Sequence, residues 1–168
     1  IKLANRKIFE ASIKHREVHG MGTTVVGALY SKDRGRLYVA HVGDSRCYRV
    51  RAGQIEQLTR DHSLLNDYLL VMPDMTPEQR DELPKNVITR ALGMQDSVAV
   101  DMLPVEPHPG DYYVLCSDGL SGMISDDVIR DTVVASGQDV ELAAKNLVAR
   151  ANSNGGEDNI TVVVVMFT

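Results

Sequence analysis

Between Thr23 and Thr59 the sequence holds four short apolar runs and no helix-period stretch to separate them. They are "TTVVGALY" (23–30), "RLYVAHV" (36–42), "RCYRV" (46–50) and "IEQLT" (55–59). Asp33-Arg34-Gly35 and Arg51-Ala52-Gly53-Gln54 supply turn chemistry at two of the joints. Strands joined by so few residues must pair antiparallel, because a parallel crossover needs a dozen residues or more. A chain with this stretch is committed to antiparallel sheet before anything else is considered.

The remaining segments fit around that commitment. Strand patterns resume over 98–103 and 112–117, with Pro104, Pro107, Pro109 and Gly110 turning the chain between them. The closing run "ITVVVVMF" (160–167) is apolar on both faces, which predicts a strand central in its sheet. At the start, Ile1, Ala4, Ile8, Ala11 and His15 recur at helical steps, with Phe9 and Ser12 beside the stripe. Residues 61–90 are more polar and helical, and Thr76, Pro77 and Gln79 form a helix-start signature. Ser125 and Asp139 are placed to cap two later helices, the second stopped by Asn154-Gly155-Gly156. Strands first and helices grouped predict an α+β fold of two sheets covered by helices, in one domain over 1–168.

Charge and cysteine usage narrow the function classes. A net charge of −5 with no basic stripe argues against a nucleic-acid partner. No stretch reaches the roughly 18 apolar residues of a membrane span, and no segment resembles a signal peptide. Cys47 and Cys116 both sit inside strand patterns, too far apart for a CxxC motif. They read as free core thiols in a reducing compartment, which favours a cytoplasmic location.

Three aspartates stand at strand ends. "LYVAHVGDSR" ends at Asp44, "YYVLCSDG" breaks on Asp118, and Asp158 of "GGEDN" immediately precedes the final apolar run. Each alone is an ordinary turn residue or helix cap. Together they also suit a hard cation such as Mg²⁺ or Mn²⁺, which takes a few carboxylate oxygens and keeps several waters. Residue pattern alone leaves both readings open.

The wording of the chain adds a resemblance. "GTTVVG", "LYVAHVGDSRCYRV", "LTRDHS", "ITRALG", "LPVEPHPGDYYVLCSDGLSGMISDD" and "GGEDNITVVVV" follow one another in an order that resembles the metal-dependent Ser/Thr protein phosphatases of the PP2C class, bacterial type, over about residues 20–168. The resemblance implies a four-layer αββα sandwich of two antiparallel sheets flanked by helices. It also implies Mg²⁺ or Mn²⁺ as cofactor, two catalytic ions and a looser third, and attack of a metal-bridging water on phosphoserine or phosphothreonine. Asp118 and Asp158 match ligands of a catalytic metal, and Asp44 matches the aspartate that helps hold the third. Residues 61–90 correspond to the variable flap. The implied partners are phosphorylated proteins and a Ser/Thr kinase or its targets.

The family's N-terminal arginine, acidic cluster and Asp-Gly-x-Gly-Gly motif have no counterpart here; Asp118-Gly119 is the sole Asp-Gly pair. The chain therefore resembles the C-terminal two-thirds of such an enzyme, with the N-terminal strands missing. It is expected to be inactive alone and to self-associate through exposed sheet edges. The alternatives are a pseudophosphatase-like binding module, an inactive fragment, and the superfamily's stress-response branch. The intact "GDSR" and "DHS" favour the main branch, and His62 of "DHS" reads as a structural hydrogen-bonder rather than a general acid.

Overall fold

The computed structural model describes residues 1–84 and 87–168, and of Asp81 the backbone only. In chain order the elements are α1 (Lys2–Lys14), β1 (Val25–Ser31), β2 (Arg36–Val42), β3 (Arg46–Arg51) and β4 (Gln54–Gln57). Then come α2 (Leu64–Val71), α3 (Pro77–Asp81), β5 (Asp101–Val105), β6 (Tyr112–Cys116) and α4 (Asp118–Ser121). The last three are α5 (Asp126–Ala135), α6 (Val140–Ser153) and β7 (Val162–Met166). They fall into two compact units. A sheet unit comprises Val26–Ala40, Ser45–Thr59 and Met102–Thr168; a second unit comprises Ile1–Val25, His41–Asp44 and Arg60–Asp101.

Two antiparallel sheets are ordered β1-β2-β5 and β4-β3-β6-β7; the sheet unit holds all of the second and the first except Val25, His41, Val42 and Asp101. In the second sheet Tyr48 stands opposite Val114, and Val114 opposite Val164. This row faces Leu120, Ile129, Val133 and Leu147 of α4, α5 and α6, forming one core. The alternate residues Cys47, Tyr113 and Leu115 point the other way and pack with Leu37, Val39 and Val105, so a second core joins the two sheets. The period-2 alternation of β3 and β6 thus feeds two cores at once. Side-chain caps start the helices where expected: Ser125 accepts from Val128 N and Asp139 from Leu142 N. The 51–54 turn places Ala52 (φ 50°) and Gly53 (φ 74°) in the left-handed region, which suits a two-residue hairpin.

Polar anchoring dominates the second unit. Ser63 caps α2, and Thr76 with Gln79 forms the full capping box of α3. The stretch expected as a flap, 61–90, includes Lys85 and Asn86, which lie outside the described residues.

Three expectations are corrected. The strand placed at 98–103 runs over Asp101–Val105 and contains Pro104. A proline is tolerated there because β5 is the edge of its sheet, where one missing donor breaks no ladder. The closing strand is not central: β7 ends its sheet's order. Val162 and Val164 pack on the helix-facing core, whereas Val163 and Val165 are 50% and 43% exposed. Apolar periodicity counts apolar faces, not hydrogen-bonded neighbours.

The third correction concerns α1, whose buried positions are Asn5 and Ser12, with Ile8 and Phe9 half-buried between them, while Ile1 and Ala4 are exposed. Asn5 is buried because all its polar atoms find backbone partners: Nδ2 donates to Gln95 O (3.0 Å) and Asp96 O (3.2 Å), and Oδ1 accepts from Gly93 N (2.9 Å). A stripe counted in apolar residues cannot register a polar residue that is fully satisfied.

Candidate metal centre

Antiparallel pairing of β6 with β7 sets Cys116 opposite Val162, so the residues after β6 meet the residues before β7. The contact continues past the ladder. Ser117 N donates to Thr161 O (3.1 Å), and the Ser117 hydroxyl accepts from Thr161 N (3.0 Å) and donates to Asn159 O (3.0 Å). Asp118 follows at once and opens the single-turn helix α4. A Cβ at Gly119 would lie 2.4 Å from Asn159 O and 3.4 Å from the Asp158 carbonyl carbon. Only glycine permits this approach. The segments bearing Asp118 and Asp158 are thereby held against each other, with both residues exposed. Each carboxylate uses Oδ1 to accept the next residue's N–H, from Gly119 at 2.9 Å and from Asn159 at 2.6 Å. Such hard oxygen donors fit Mg²⁺ or Mn²⁺ and poorly fit softer metals.

Asp44 belongs to the second unit, half-buried in the turn after β2. The residue before it is clamped. Gly43 has φ 110°, and a Cβ there would collide with Thr24 Cγ2 at 2.3 Å. His62 grips the same glycine twice: His62 N donates to Gly43 O, and Gly43 N donates to His62 Nδ1, both at 3.0 Å. His62 stacks on His41, ring centroids 4.7 Å apart, and His41 Nε2 hydrogen-bonds Arg60 O at 2.8 Å. Behind His62, Asp101 Oδ2 lies 3.3 Å from Nε2, and Arg90 Nη1 donates to Asp101 Oδ1 at 2.7 Å.

His41, His62 and Asp101 have the spacing of a metal-ligand set, their ligand atoms all within 4.8 Å. Their hydrogen bonds oppose that use. A neutral imidazole has one lone pair, and the buried Gly43 N–H is directed at it on Nδ1. The proton must then sit on Nε2, toward Asp101. Arg90 Nη1, 2.9 Å from Nε2, has other acceptors in Asp101 and in Ala99 O (3.3 Å), and its charge would repel a cation. Burial depresses the His62 pKa, against the opposing pull of Asp101, so the ring is neutral at neutral pH. Burial also opposes ionisation of Asp101, but its bonds from Arg90 and His62 outweigh this and hold its carboxyl below the usual range. This cluster is a hydrogen-bond relay. The sequence marks His62 as a structural hydrogen-bonder but carries no local signal for Arg90 and Asp101, whose partners are remote along the chain.

The cysteines take no part in a thiol mechanism. Both are buried and outside any disulfide, and burial followed by the neighbouring Cys116 pushes the Cys47 thiol up to about 12.

Comparison with known proteins now has a geometry to refer to. A family profile described as protein phosphatase 2C matches residues 2–67. Protein phosphatase PhpP of Streptococcus pneumoniae serotype 2 is 42% identical over 168 aligned residues, covering 98% of this chain. The solved structure of the S. agalactiae serine/threonine phosphatase superposes with a TM-score of 0.88 at 36% identity, covering 99% of this chain and 67% of that one. The chain belongs to the protein phosphatase 2C family. Its two antiparallel sheets flanked by helices are the fold of its relatives. Another member, the catalytic domain of the serine threonine protein phosphatase PstP solved in complex with 2 manganese ions, superposes with a TM-score of 0.80 at 34% identity. It is covered over 66% of its length, and 97% of this PP2C chain is matched. The chain spans 65% of the length of the pneumococcal relative. Among the described residues no helix is long and apolar enough to cross a membrane.

Proposed function

We propose that this PP2C chain forms part of a metal-dependent protein phosphatase that hydrolyses phosphoserine and phosphothreonine in phosphorylated proteins. The observation that carries this reading is the junction of Ser117-Asp118-Gly119 with Asp158-Asn159, two carboxylate-bearing segments locked together by the Ser117 bonds. Asp118 and Asp158 would hold Mg²⁺ or Mn²⁺ there, and Asp44 would help hold a further, looser ion. Bound cations of this type neutralise phosphate charge and activate a water nucleophile. The chain's own contribution is positional: β6 and β7 fix the two aspartates, and the glycine at 119 lets their backbones close. Residues 61–90 act as a flap that influences substrate choice, and the proposed partners are phosphoproteins and the kinases that make them. Cytoplasmic placement belongs to the same reading, supported by two buried thiols outside any disulfide.

The test joins to this chain the part of the pneumococcal relative that it does not match. Mn²⁺-dependent hydrolysis of a phosphothreonine peptide by that chimera, lost in Asp118→Asn and Asp158→Asn, is the expected result. Undiminished turnover in both variants would overturn the assignment.

A further inference from the structure

We propose that His62 is the positioning residue of the Gly43–Asp44 turn, with Asp101 and Arg90 fixing the ring tautomer that the task requires. The significance of Asp44 rests on the metal reading above; the clamp on Gly43 stands on geometry alone.

Gly43 cannot be held by its own side chain, and its φ of 110° leaves the following residue's direction to whatever grips the peptide. His62 supplies both grips, from its main-chain N–H and from ring Nδ1. A main-chain pair alone would leave the Gly43 N–H buried and unsatisfied, which is costly. Nδ1 can accept only if the proton is on Nε2; Asp101 Oδ2 stands 3.3 Å from that nitrogen as its acceptor, and Arg90 Nη1, 2.9 Å from Nε2, must then direct its hydrogens to Asp101 Oδ1 and Ala99 O. Arg90 in turn orients Asp101 through Oδ1 at 2.7 Å. Stacking on His41 removes ring rotation as an escape, and Thr89 N donating to His62 O (2.9 Å) ties down the main chain. The chain Arg90, Asp101, His62, Gly43 therefore ends one peptide away from the Asp44 carboxylate. No step of it needs His62 to touch substrate or to move a proton in the reaction.

The test uses the 168-residue chain by NMR. In the wild type, the ¹⁵N shift of His62 Nδ1 should be that of an unprotonated acceptor and Nε2 that of a protonated nitrogen; a protonated Nδ1 overturns the proposal. His62→Leu should speed hydrogen exchange at the Gly43 amide about tenfold, the equivalent of one neutral hydrogen bond, while Val50 and Val114 amides stay protected. His62→Asn, whose Oδ1 occupies the same branch position as Nδ1, should restore protection. A structural role without positioning would predict equal effects of Leu and Asn, and that result overturns it. Should His62→Leu fail to fold, Asp101→Ala decides: faster Gly43 exchange supports the relay, unchanged exchange overturns it. Mn²⁺ titration by EPR separates the two readings. If His62→Leu and Asp44→Ala weaken the same loosest site, both hold; if Gly43 loosens but Asp44→Ala leaves Mn²⁺ binding unchanged, the positioning role stands and the metal role of Asp44 fails.

Discussion

Gly119 approaches Asn159 so closely that a β-carbon on it would sit 2.4 Å from the Asn159 carbonyl oxygen. The obstacle is backbone and cannot swing aside. Gly119→Ala must therefore part the Asp118 segment from the Asp158 segment. We expect a destabilisation of about 1–3 kcal/mol, read as a fall in Tm of about 2–4 °C per kcal/mol for a chain of this size. Weaker Mn²⁺ binding should accompany it. A variant with wild-type Tm and wild-type Mn²⁺ affinity would contradict the close approach.

Neutral amides at the junction should separate metal loss from fold loss. Asp118→Asn and Asp158→Asn keep shape while removing charge, so Mn²⁺ affinity should fall by about tenfold or more in each. Circular dichroism should stay unchanged. Asp44→Ala should weaken only the loosest ion. Calorimetric titration with Mn²⁺ checks all three, and equal affinities across the set would argue that the carboxylates are turn residues alone.

A heavily bonded carboxylate lies away from this junction. Asp111, its side chain 1% exposed, takes both arms of Arg51 (Nε to Oδ1 at 2.7 Å, Nη2 to Oδ2 at 2.6 Å). It also accepts from His108 N (2.8 Å) and the Tyr113 hydroxyl (3.1 Å). Burial opposes its ionisation, but these donors outweigh burial and hold its carboxyl below the usual range. A depressed carboxylate contributes stability that is complete above its unfolded value of about 3.9. That stability is lost as pH falls through the lower folded value. Asp111→Ala should cost about 1–3 kcal/mol at neutral pH, since it leaves the His108 N–H and the buried Tyr113 hydroxyl without their acceptor, while Arg51, 30% exposed, keeps Glu106 O and solvent. Acid titration of the unfolding midpoint should be flatter in the variant than in the wild type.

Along β7, Val163 and Val165 offer half-exposed apolar side chains on the last strand of its sheet. An uncovered strand of this kind is a template for pairing. Sedimentation velocity of the chain should show concentration-dependent self-association, and Val163→Lys with Val165→Lys should reduce it. Concentration-independent sedimentation of the wild type would remove this expectation.

The sequence by itself determined the local elements. Turn residues and alternation marked β1 to β4, and Ser125, Asp139 and the Thr76–Gln79 box marked helix starts, because caps and period-2 patterns act within a few residues. Ordered motifs named the family, and with it the three aspartates to inspect. Tertiary structure alone decided which polar residues are interior and which strands are edges. Asn5 became a core residue through partners about ninety positions away, and β7 became a terminal strand although both its faces are apolar. Arg90 and Asp101 gained a role only when folding set them behind His62. Hydrogen-bond satisfaction and strand neighbourhood depend on who arrives from elsewhere in the chain, and no local pattern encodes that.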